Sequence, residues 1–134
     1  MEKEINVMVE FNGDDGFACQ SLSPIGDYER LVAEGGSAHE AKDNFLATVE
    51  ACGKANPGDD RYKGLTFHFE YDLRAFFNYF SFINASEVAR LGGMNPSLLR
   101  QYTCGAKNPS PAMSQRIAGF MRQLIEELSA AKIR

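Results

Sequence analysis

Apolar and polar residues alternate with a period of two along residues 4–11, EINVMVEF. Ile5, Val7, Val9 and Phe11 share one face and Glu4, Asn6, Met8 and Glu10 the other, which predicts a half-buried strand. NGDDG at 12–16 is a turn signal, and FACQSL at 17–22 alternates again, so the two runs predict a hairpin. Ser23, Pro24, Gly26 and Asp27 break the pattern. A third, shorter strand follows through Leu31 and Val32 to Glu34 and ends at Gly35-Gly36. The period then changes. Ser37 and Glu40 have capping-box spacing, and Ala38, Ala41, Phe45, Val49 and Cys52 recur on one face with Leu46 beside it. This predicts a helix that stops near Gly53. The turn-rich stretch 55–64 is a loop, and Leu65, Phe67, Phe69 and Tyr71 then alternate with Thr66, His68 and Glu70 as a last strand. Residues 1–71 read β-β-β-α-β, a small sheet with one helix across it.

Residues 72–134 carry helical periodicity only. Leu73, Phe76, Phe77 and Phe80 fall at i, i+3, i+4 and i+7 behind an Asp72 cap. This helix is expected to pack beneath the elements that follow, with Phe82 and Ile83 stapling the next one. Its aromatics read as core; a base-stacking platform would need them exposed on a sheet. NASEVARLGGMNPSLLRQYTCG, residues 84–105, reads as two short helices across a tight turn. Asn84 caps the first, with Glu87 at capping-box spacing and Val88, Ala89 and Leu91 on its apolar side. Gly92 and Gly93 are expected to take the positive φ that ends it. Asn95 and Pro96 start the second, where Leu98, Leu99 and Tyr102 recur and Gly105 ends the helix. Ser110 and Pro111 open a final helix lined by Met113, Ile117, Phe120, Met121, Leu124, Ile125 and Leu128. That face is larger than a small helical core needs and offers a surface for a second subunit.

Charge sharpens the division. The chain has a net charge of -4, but residues 1–71 hold 6 basic and 14 acidic side chains, a net -8. Residues 72–134 hold 8 and 4, a net +4. A basic second half meets what phosphate attraction requires, and an acidic first half suits a basic protein. Within the basic half, Asn95, Ser97, Arg100, Gln101 and Cys104 point away from the predicted core, and Lys107 and Asn108 lie in the loop beyond. Asn, Gln and Arg are suited to base edges and phosphates, and a hairpin used only for packing would need none of them. Ala89, Gly93, Met94, Leu99, Tyr102 and Gly105 sit as in the helix-turn-helix of phage-repressor-like (Cro/lambda-type) DNA-binding domains, which this stretch resembles.

The first half, with its hairpin, third strand and Gly-Gly-Ser-Ala-His-Glu-Ala stretch at 35–41, resembles the N-terminal domain of HicB-like antitoxins. SPIGDYER departs from the family's Leu-Pro-Gly turn before the third strand. The order of the two parts is also that of HicB-like antitoxins, so the resemblance spans nearly the full length. It implies an α+β protein with a partial RNase H-like domain at 1–71, which binds and blocks a small basic HicA-like RNase toxin. A helix-turn-helix domain at 72–134 would bind operator DNA as a homodimer or higher homo-oligomer and repress its own operon. The alternative keeps DNA binding and discards the toxin: a repressor whose N-terminal domain oligomerises or senses a ligand.

Other classes find less support. RNase H chemistry needs carboxylates converging on two metal ions. Of the candidates, Glu10 and Glu70 read as outer-face strand residues and Asp14-Asp15 as a turn. His39 and His68 have no accompanying nucleophile, and no Walker loop or dinucleotide fingerprint occurs. No catalytic residue, metal site or cofactor is expected. Cys19, Cys52 and Cys104 are odd in number and widely spaced, which fits reduced thiols. Without a signal peptide or an apolar run of membrane-spanning length, the expected location is the cytoplasm.

Overall fold

A computed structural model describes residues 3–134. The protein is α+β, with a four-stranded mixed sheet and five α-helices among the described residues. The chain forms two compact units, one reaching Tyr79 and the other Phe80–Arg134.

In the first unit, β1 (Lys3–Phe11) and β2 (Phe17–Ser21) form the predicted hairpin around a single 3₁₀ turn at Gly13–Asp15. β3 (Val32–Gly35) adds antiparallel to β2, α1 (Ala38–Ala55) crosses the sheet, and β4 (Leu65–Tyr71) returns parallel to β1. The strand order is β3-β2-β1-β4. A parallel return needs a crossover, and α1 supplies it. Its start is capped as expected: the Glu40 amide donates to Ser37 Oγ at 3.1 Å. Ile5, Val7, Val9, Phe17 and Cys19 meet Ala38, Ala41, Phe45 and Val49 in the core. Phe45, fully buried, stands edge-on to Phe67 and Phe69 at 5.5 and 6.2 Å. Burial of one such ring contributes about 1.5–3 kcal/mol. Ser21 also faces inward, and its hydroxyl accepts the Leu31 amide at 2.9 Å, so a polar side chain is buried without an unmet partner.

The boundary between the units differs from expectation. The helix after β4, α2 (Leu73–Tyr79), groups with the first unit, so the division falls after it and not before it. The Asp72 amide donates to the Val9 carbonyl at 3.2 Å, Ala75 is part of the first core, and Tyr79 stacks on Tyr71. Main-chain continuity with the sheet decides this, which helical periodicity does not encode.

The second unit holds α3 (Ala85–Leu91), α4 (Pro96–Thr103) and α5 (Pro111–Ala130). Val88, Ala89, Met94, Leu99, Tyr102 and Ile117 are its buried apolar residues. Phe82 does not staple α3. It is 84% exposed and meets the Phe80 ring at 6.2 Å, while Leu91, expected on the apolar side, is 73% exposed. No helix among the described residues is long and apolar enough to cross a membrane.

Candidate nucleic-acid interface

The surface around α4 follows from how α3 and α4 are joined. Both helices carry the expected asparagine caps: Asn84 Oδ1 accepts the Glu87 amide at 3.2 Å, and Asn95 Oδ1 accepts the Ser97 amide at 2.9 Å. Glu87 also pairs with Arg90. Of the two turn glycines, Gly93 takes positive φ, at 68°. Gly92 ends α3 at φ -86°. It is small for another reason, since a Cβ there would lie 2.2 Å from the Phe120 ring. The Met94 amide donates to the Ala89 carbonyl at 2.8 Å and closes the turn. Ala89 and Leu99 are both fully buried, so the small residue lies in the α3–α4 core as the sequence suggested.

Packing of Leu99 and Tyr102 inward turns the opposite side of α4 to solvent. Ser97, Arg100 and Cys104 are exposed at i, i+3 and i+7, and Gln101 is half-buried beside them. Arg100 Nη2 donates to Ser97 Oγ at 3.1 Å, which holds the guanidinium along the helix. The side chain of Asn95 is committed to its cap, so it offers a ligand only its remaining amide group. Lys107 and Asn108 are exposed, and the Lys107 amide donates to the Gln101 carbonyl at 3.2 Å, which ties their loop to the last turn of α4. The predicted residues thus lie along α4, at its cap and in the loop tied to its last turn. Residues 80–134 carry 7 basic and 3 acidic side chains.

In the first unit, Asp14 and Asp15 are exposed at the hairpin turn, whereas the second acidic pair is engaged. Asp59 pairs with Arg61 at 2.6 Å and Asp60 with Lys63 at 3.3 Å. Hydrogen bonds from Arg61 hold the Asp59 carboxyl down at about 2. A groove of about 600 Å³ runs along α1 between Tyr28, Cys52 and Tyr62. The neighbouring Cys52 sulfur pushes the Tyr28 phenol above its ordinary pKa. Glu10 is half-buried and accepts from Gln20. Among the described residues, no three His, Cys, Asp or Glu side chains converge to hold a metal ion.

No protein-family model, curated protein or solved structure matches this chain.

Proposed function

We propose that the second unit binds double-stranded DNA through α4, and that the first unit binds a small basic protein, as in an autoregulating antitoxin of the HicB kind. The observation that carries the DNA reading is the joined surface of Ser97, Arg100, Gln101, Cys104 and Lys107 on a net-basic unit. A recognition helix in a major groove presents such side chains to base edges while flanking cations meet phosphates. The β-β-β-α-β order and the acidic balance of the first unit support the antitoxin reading, with Asp14-Asp15 the more available docking charges. Dimeric binding would match palindromic half-sites, and Ile125 and Leu128, 57% and 65% exposed on α5, are available for subunit contact.

The test is a titration of the full chain against DNA fragments from upstream of its own gene and against scrambled DNA, at two salt concentrations. Specific binding should exceed binding to scrambled DNA by about 10³-fold or more and weaken with salt. Equal, weak binding to both fragments would remove the repressor reading. Co-purification with a small basic protein from native cells tests the antitoxin reading separately.

A further inference from the structure

On the reading of the first unit as a binder of a small basic protein, we infer that the open face of its sheet, opposite α1, is where that protein docks. α1 covers the face on which Ile5, Val7, Val9, Phe17 and Cys19 are buried. Side chains alternate along a strand, so the residues between these point to the other face. There the register sets Glu34, Ala18 and Glu10 in one row across three strands. Val32, Gln20, Met8 and Glu70 form the next row, across all four. Strands about 4.8 Å apart put Glu34 about 10 Å from Glu10, and Val32 about 14 Å from Glu70. Of the side chains in these two rows only Ala18 is buried.

The charge of this face has one sign. Lys3 is the one lysine or arginine in the four strands, and its ammonium donates to the Asp60 carbonyl at 3.4 Å. Glu34 and Glu70 are exposed, and among the described residues no cation pairs with either. Beside α1 the opposite holds. Glu50 pairs with Lys54 at 3.1 Å, Asp59 with Arg61 at 2.6 Å, and Lys42 donates to the Tyr71 hydroxyl at 3.1 Å. The negative charge of the unit is thus neutralised locally near α1 and left open on the sheet.

Between the carboxylates the face is apolar. Met8 is half-buried at its centre, and Val32 is 51% exposed on β3. Leu22, also 51% exposed, lies just beyond β2, its amide donating to the Asn6 carbonyl at 2.8 Å. An apolar middle with carboxylates on both outer strands suits lysine and arginine. Their stems cover apolar surface while their head groups reach Glu34 and Glu70. DNA and anionic membranes are repelled by such a face, and the same face of a second copy would set carboxylate against carboxylate.

The probe is a synthetic amphipathic helix of leucine and lysine, titrated into the isotope-labelled full chain and followed by amide chemical shifts. The shifts should cluster at residues 6–10, 18–20, 32–34 and 68–70 and fade with added salt. Glu34→Lys with Glu70→Lys should weaken binding roughly tenfold, whereas Asp43→Lys with Glu50→Lys, the same change of net charge on α1, should stay within about twofold. Val32→Ser should weaken it roughly threefold with the salt dependence unchanged. Circular dichroism checks folding of each variant. In a complex with a basic protein from native cells the two charge-reversal pairs should rank in the same order. No binding of the probe at low salt, shifts confined to α1 or to the Asp14-Asp15 turn, or equal losses from the two pairs would overturn the proposal. So would salt-sensitive self-association of the parent chain that Glu34→Lys with Glu70→Lys abolishes, since the basic half of a second copy would then occupy the face. The two readings fail separately: absence of a basic partner in native cells removes the antitoxin, whereas the position of the probe decides the docking face.

Discussion

The Phe120 ring on α5 occupies the space that a side chain at Gly92 would need, with a Cβ there falling 2.2 Å from the ring. The neighbouring Gly93 is the reverse case: nothing lies within 4 Å of its missing Cβ, but its φ is 68°. The two glycines are therefore required for different reasons. Gly92→Ala should destabilise the chain by about 1–3 kcal/mol through overpacking. Gly93→Ala should cost about 1–2 kcal/mol through its left-handed backbone. Urea unfolding in a Phe120→Ala background separates them, because the Gly92→Ala cost should shrink there and the Gly93→Ala cost should not.

Arg100 and Gln101 differ in exposure, and so should their substitutions. Arg100→Ala should cost about 1–3 kcal/mol in operator affinity and relax the sequence preference. Gln101→Ala should act in the same direction, from a side chain that is half-buried. Lys107→Ala should weaken specific and scrambled DNA alike and lower the salt slope by about one phosphate contact. If Arg100→Ala and Gln101→Ala both bind operator like the parent, α4 does not read bases.

Of the three cysteines, Cys104 reports on the same interface and the other two serve as references. Burial pushes the Cys19 thiol up to about 11, so it should resist alkylation at pH 8 until the chain unfolds. Cys104 is exposed on the polar side of α4 and should react first, with the half-buried Cys52 next. Bound operator should slow labelling of Cys104 and leave Cys52 unchanged. Mass spectrometry of the labelled peptides distinguishes the sites, and an unprotected Cys104 at saturating operator would place the DNA elsewhere.

Asp72 gives a pH dependence with a definite sign. Burial raises its carboxyl pKa, against the Ala75 amide that donates to it at 2.7 Å. The folded chain therefore holds this proton more tightly than the unfolded chain. Its contribution to stability is fully present below the ordinary carboxylate pKa of about 4 and falls as pH rises through the raised folded value. Asp72→Asn keeps a capping acceptor without the buried charge. It should equal or exceed the parent in urea resistance at pH 7 and lose that advantage below about pH 4. Asp72→Ala should cost about 1 kcal/mol through loss of the cap. A large loss at pH 7 in Asp72→Asn would show that the charge itself stabilises α2.

Local rules were sufficient wherever the determining partners are close in sequence. Alternation placed β1, β2 and β4, and the hydroxyl and amide caps at Ser37, Asn84, Asn95 and Ser110 set the starts of four helices, because each cap bonds an amide two or three residues away. The polar side of α4 was legible for the same reason: helical spacing puts Leu99 and Tyr102 opposite Ser97, Arg100 and Cys104. Tertiary structure decided what periodicity leaves open. Phe76 and Phe77 would form an apolar face in either unit; the Asp72–Val9 main-chain bond and the Tyr71–Tyr79 stack assign α2 to the first. Gly92 resembled a second positive-φ residue until Phe120, distant in sequence, was brought against it. Leu91 was expected on the apolar side of α3 and Phe82 as a staple for it, and in the folded chain both stay exposed.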